Sequence, residues 1–103
     1  MIKKAFKMKI YPDCHVEYQK RHDVLWPEMK AMLVKYGAQT YSIFLDEATS
    51  TLFAYLEIED ESLWSQTATT EINQKWWLYM ADIMETNLDN SPNSIELTQV
   101  FDL

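Results

Sequence analysis

The stretch TYSIFLDEATSTLFAYLEIE, residues 40–59, decides the fold. In its second half Leu52, Ala54, Leu56 and Ile58 alternate with Phe53, Tyr55, Glu57 and Glu59, the period-two pattern of a strand with one apolar face. Residues 40–45 read as a second strand, and the short polar link at 46–50 suits a hairpin between them. A mid-chain hairpin sets the question of what flanks it.

Toward the N-terminus, residues 2–11 alternate again, with Lys4, Phe6, Met8 and Ile10 on one side and Lys3, Ala5, Lys7 and Lys9 on the other. Pro12-Asp13 then offers a turn and a candidate N-cap. Helix formers follow to about Tyr36, with Trp26, Met29, Leu33 and Tyr36 spaced by three or four. Pro27 lacks a backbone donor and predicts a kink or break near Trp26. Gly37, the only glycine, stands where a helix stops in a left-handed turn. Toward the C-terminus a helical pattern starts around Leu63 and Trp64 and resumes over 70–84, where Ile72, Trp76, Tyr79, Met80 and Ile83 share a side. Residues 87–93 read as a polar loop and 95–101 as a last strand.

Strand, helix, strand, strand, helix, strand predicts an α+β domain: a ferredoxin-like βαββαβ antiparallel sheet with helices on one face. The other face needs a cover. With Tyr41, Ile43, Phe53 and Tyr55 on it, a homodimer is the simplest one, because a single self-complementary patch suffices.

The 103 residues allow one domain, residues 1–103. A hydrophobic share of 48%, with four Trp, six Tyr and four Phe, marks a packed globule rather than a disordered segment. The net charge of −7 and the lack of a basic stripe argue against nucleic acid and anionic membranes as partners. Cys14 is the single cysteine, which favours a reducing, cytoplasmic setting. No apolar run approaches the roughly 20 residues of a bilayer span.

For chemistry, Tyr18 and His22 are four apart and stack on one helix face, with Trp26 a turn further on if the helix continues. An imidazole titrates near neutral pH, so His22 is the best general acid or base in the chain. Against that stands the ordinary surface histidine, and for Tyr18 a half-buried phenol with its hydroxyl in water. Arg21 with Glu17 reads as a solvated i,i+4 ion pair. Trp76 and Trp77 diverge by about 100° on a helix. Trp76 therefore fits the core stripe, or the edge of a cleft that Trp77 lines. Asp13, Cys14, His15 and Glu17 match no zinc spacing, so no metal is expected. Phosphate-loop, serine-elbow and Cys-x-x-Cys signals are missing. Proton transfer on a small neutral molecule, or binding alone, remains.

Tyr18 with Arg21-His22, the Trp26-Pro27-Glu28 step, Tyr41, Trp76-Trp77 and Asp89-Asn90-Ser91-Pro92 together resemble the L-rhamnose mutarotase family, over nearly the whole chain. The resemblance implies a ferredoxin-like fold of the dimeric α/β barrel type, no cofactor, and L-rhamnose or a related deoxy-sugar as substrate. It also implies His22 as proton donor, with Tyr18, Tyr41, Trp76 and Trp77 contacting the sugar. One departure is Asp23-Val24 after His22, where the family favours Asn-Pro; a carboxylate there would raise the imidazole pKa. Fold does not determine function, and the same architecture hosts cofactor-free monooxygenases, haem-handling proteins and plain ligand-binding modules.

Overall fold

The computed structural model describes all residues, Met1–Leu103. The elements are β1 (Ile2–Lys9), α1 (His15–Asp23), α2 (Pro27–Lys35), β2 (Ala38–Asp46), β3 (Thr51–Ile58), α3 (Glu61–Ser65), a 3-10 turn (Gln66–Thr69), α4 (Glu71–Met80) and β4 (Ile95–Leu97). The sheet runs β2-β3-β1-β4, antiparallel throughout, which is the ferredoxin-like order. The hairpin and both helical regions lie where the periodicity placed them.

Local chemistry explains most boundaries. The helical run breaks at Pro27, which sits at the first turn of α2, where its missing N–H is no loss. Gly37 follows with φ +102°, a conformation that side chains with a Cβ rarely adopt. Asp60 caps α3 by accepting from Leu63 N at 2.9 Å. Asp13 does not cap α1: Cys14 takes the cap position without a side-chain bond to the helix N–H groups, and its thiol donates to Asp13 Oδ1 instead.

Two expected lengths are corrected. α4 stops at Met80 rather than running to Met84, because the Arg21 guanidinium takes the Tyr79 carbonyl (2.7 Å) while the Ile83 N–H turns to Met80 O. Met84 then bridges Ile10 beyond the end of β1. β4 has three residues, after which the chain leaves the sheet and Asp102 pairs with Lys3 at 2.6 Å.

The register assigns the faces. Tyr41 pairs with Leu56, Ile43 with Ala54 and Leu45 with Leu52, so these lie on the helix side, together with Phe6 and Met8 of β1. The core is this face against Tyr18, Met29, Met32, Trp76, Met80 and Ile83. Tyr41 and Ile43 are thus not on the open face, contrary to expectation. Because side chains alternate, that face instead carries Phe44 opposite Phe53, Tyr55 opposite Ala5, and Ile95 opposite Lys7.

Candidate active site

Helix α1 lays its inner face on the sheet through Tyr18, which is 8% exposed. One turn on, the His22 ring stacks on the Tyr18 ring, centroids 4.3 Å apart and 28° from parallel. His22 Nδ1 lies 3.0 Å from the Tyr18 carbonyl oxygen. A carbonyl only accepts, so Nδ1 carries a proton and Nε2 is the free basic nitrogen of the neutral ring. From α4, Trp76 (7% exposed) meets His22 edge-on at 5.4 Å. Trp26 reaches Trp76 at 5.0 Å although α1 has already ended. Tyr79 stacks on Trp26 at 5.2 Å.

Tyr41 enters from β2. Its ring is edge-on to Phe6 (6.5 Å) and Trp64 (6.3 Å). Although the residue as a whole is 38% exposed, desolvation of its phenol pushes the pKa up to about 12. Burial raises Tyr18 further still, with repulsion from Tyr41 adding to it, so both phenols keep their protons at neutral pH. Tyr18 is therefore no half-solvated surface tyrosine. The fold brings Tyr18, His22 and Trp76 into one aromatic group, with the Tyr41 phenol near enough to act on Tyr18. Trp77 is half-buried and packs against the edge of the core.

The His22 pKa is lowered, burial outweighing the hydrogen bond to Tyr18 and the charge of Asp23. The carboxylate beside it does act in the expected direction but does not win. Asp23→Asn is accordingly expected to lower the His22 pKa further and to move the acid limb of a pH–rate profile to lower pH, which a titration of the His22 ring protons by NMR checks directly.

Other polar groups go elsewhere. His15 Nε2 is bonded to Ser50 Oγ at 2.8 Å, tying α1 to the hairpin turn where Ser50 has φ +56°. Asp89 accepts from both the backbone N–H and the hydroxyl of Ser91, organising its loop, while Asn90 adopts the left-handed conformation that asparagine tolerates. The depression lined by Thr86, Asn87, Leu88, Asp89 and Ser91 is open and holds no imidazole, phenol or indole, and its one carboxylate, Asp89, is engaged by Ser91, whose hydrogen bonds hold its pKa down.

Sequence reasoning missed the surroundings of Arg21. Its side chain is 10% exposed and bonds Asp82 and the Tyr79 carbonyl as well as Glu17, so it is not the solvated pair the local spacing suggested. Asp82 lies 61 residues away in sequence, beyond any local signal.

A sequence profile of the family described as L-rhamnose mutarotase matches residues 3–103. A relative named L-rhamnose mutarotase from Enterococcus faecalis is 65% identical over 103 residues, covering 100% of both chains. The chain belongs to the L-rhamnose mutarotase family. The crystal structure of an L-rhamnose mutarotase from Formosa agariphila superposes with a TM-score of 0.92 at 47% identity, covering 100% of this chain and 99% of that one. A putative antibiotic biosynthesis monooxygenase from Nitrosomonas europaea gives a TM-score of 0.65 at 10% identity, covering 98% and 100%. That likeness is one of fold alone. The mutarotase family and the monooxygenase share a sheet and its helices, and a shared fold does not fix the chemistry.

Proposed function

We propose that this mutarotase-family chain interconverts the α and β anomers of L-rhamnose, with His22 carrying the proton. The observation behind this is the fixed tautomer of His22, whose Nδ1–H is held by the Tyr18 carbonyl while burial keeps the ring neutral. Neutral Nε2 takes the proton of the anomeric hydroxyl as the C1–O5 bond breaks, and returns it to O5, giving the open-chain aldehyde. Both oxygens are borne by C1, within reach of one nitrogen. Rotation about C1–C2 presents the other carbonyl face, and the reverse steps close the ring as the opposite anomer. No proton is gained or lost.

Tyr18 and Tyr41, held protonated, serve as hydrogen-bond donors to sugar oxygens. Trp77 offers its indole face to the sugar C–H groups and the C6 methyl, while Trp76, 7% exposed, presents only an edge. Holding the open chain against this wall beside His22 favours reclosure over escape, while one methyl in an apolar wall discriminates against hydroxylated sugars only modestly. Saturation-transfer NMR of L-rhamnose tests the reading: purified protein should speed exchange between the anomeric signals, and an unchanged exchange rate would reject it.

The assembly is read as a cytoplasmic homodimer closed through the open sheet face. Phe44 is 68% exposed there, opposite Phe53 and on the same face as Tyr55, Ile95 and Leu97, an apolar patch that a second sheet would cover. Sedimentation equilibrium should give twice the chain mass, and Phe44→Glu should shift it toward the monomer; a wild type that sediments as a monomer at all concentrations would exclude this arrangement.

A further inference from the structure

Nothing in the proposed chemistry uses Arg21, although it precedes His22 in the chain and is more elaborately bonded than any other side chain near the site. It leaves α1 about 100° round from His22. Its Nε donates to Glu17 Oε2 at 2.8 Å, and Nη1 donates to the Tyr79 carbonyl at 2.7 Å and to Asp82 Oδ1 at 2.9 Å. Nη2 adds a longer bond to Asp82 Oδ2 at 3.4 Å. The guanidinium carbon sits 4.3 Å from the centre of the Tyr79 ring. Tyr79 stacks on Trp26, Trp26 meets Trp76, and Trp76 meets His22. Arg21 therefore touches the far end of the aromatic column whose near end is the imidazole.

We infer that Arg21 is a positioning residue: by capping the end of α4 and stacking on Tyr79, it fixes α4 against α1 and so sets where Trp76 stands relative to His22. The inference rests on the mutarotase reading for its catalytic side. Two features single out arginine. Only a planar fork can bond a carboxylate on its own helix, a backbone carbonyl and a second carboxylate while presenting a face to a ring; the point charge of lysine cannot. And the Tyr79 carbonyl it occupies is the one that would otherwise accept from the Ile83 N–H, so removing the fork frees α4 to add a turn and shift the residues around Trp76. The charge itself is matched by Glu17 and Asp82, while the groups acting on the His22 proton are the Tyr18 carbonyl and Asp23. Arg21 works through geometry, not through the field at the imidazole.

The test uses Arg21→Lys and Arg21→Gln beside Asp82→Asn, which keeps the arginine and its bonds to Glu17 and Tyr79. Misplacement on the ångström scale lowers rates by up to roughly 100-fold. Both Arg21 variants should therefore lose about 10-fold or more in kcat for anomer exchange, Asp82→Asn should lose less, and the acid limb of the pH profile should stay where it is. In the same samples the near-UV circular dichroism of the tryptophans and the NMR signals of the His22 ring should change. An active wild type matched in kcat by Arg21→Lys and Arg21→Gln would overturn the inference, as would unchanged tryptophan and His22 spectra. A kcat loss accompanied by a displaced acid limb would also overturn it, since that is the mark of a charge acting on the imidazole. A wild type that does not speed exchange would overturn the mutarotase reading instead, and is told apart by the control sample alone.

Discussion

His22→Ala is expected to slow protein-catalysed anomer exchange by about 10²–10⁴-fold, the range that a positioned acid–base group contributes. The ring fills a half-buried slot between Tyr18 and Trp76, and its one bond is to a helix carbonyl that water can serve, so most of the loss should appear in rate rather than folding. His22→Gln retains an amide donor for the Tyr18 carbonyl but cannot take up a proton at neutral pH. It should be as slow as alanine, which separates proton transfer from packing. In the proposed mechanism the working form is the neutral ring. Because burial lowers its pKa from the ordinary value of about 6.5, activity should persist on acidification to below that value before it falls. Stability follows the same proton. Between the folded pKa and about 6.5 the unfolded chain binds more protons at this site than the folded one, so stability falls as pH drops through that window and levels off below it. His22→Ala should remove that slope. Exchange measured by saturation transfer across pH 4–8 and urea midpoints over the same range check both; an alanine variant with wild-type exchange would remove His22 from the mechanism.

Trp76→Ala is expected to be the most destabilising change at the site. Trp76 is almost wholly buried, belongs to the core that Met80 and Ile83 continue, and has three aromatic neighbours in His22, Trp26 and Tyr79. Truncating a buried indole costs about 3–5 kcal/mol, and each of its edge-on contacts adds to what area burial supplies. In a domain of this length 1 kcal/mol corresponds to roughly 4–8 °C in melting temperature, so a fall of at least about 12 °C should be seen by calorimetry. Trp77→Ala, which empties a half-buried position, should lower it by clearly less. The same pair separates structure from binding: if Trp77 faces sugar, its loss appears mainly as a raised KM in a protein that still melts close to the wild type. Equal melting temperatures for the two variants would contradict the division of labour drawn from the helix geometry.

That the two tryptophans diverge was legible in the sequence, since adjacent residues on a helix cannot share a face, but whether Trp76 belonged to the core stripe or to a cleft edge stayed open until the packing placed it in the core. The alternation in 51–59 likewise determined the β3 strand and, with Asp46 to Ser50 between two strands, the hairpin. Pro27 and Gly37 determined where helices break, because the missing N–H and the left-handed φ are properties of one residue. Tyr18 and His22 were brought together by a spacing of four, and the Nδ1–H bond to the Tyr18 carbonyl is likewise a contact within one helix. Such features are local, and sequence carries them.

The rest depends on residues far apart in the chain. Which of Tyr41 and Phe44 faces the helices follows from the pairing of Tyr41 with Leu56 and Phe44 with Phe53, and alternation alone cannot say which of two apolar sides a strand will bury. The end of α4 is set by Arg21, a residue of another helix. Trp26 rejoins the site only because α2 brings it back against Trp76 after the break at Pro27. The direction of the His22 pKa shift is decided in the same way. The neighbouring Asp23, legible in the sequence, pulls it up, while desolvation by the packed surroundings pulls it down more strongly. Burial is a sum over everything that closes around a group, and that sum exists only once the chain has folded.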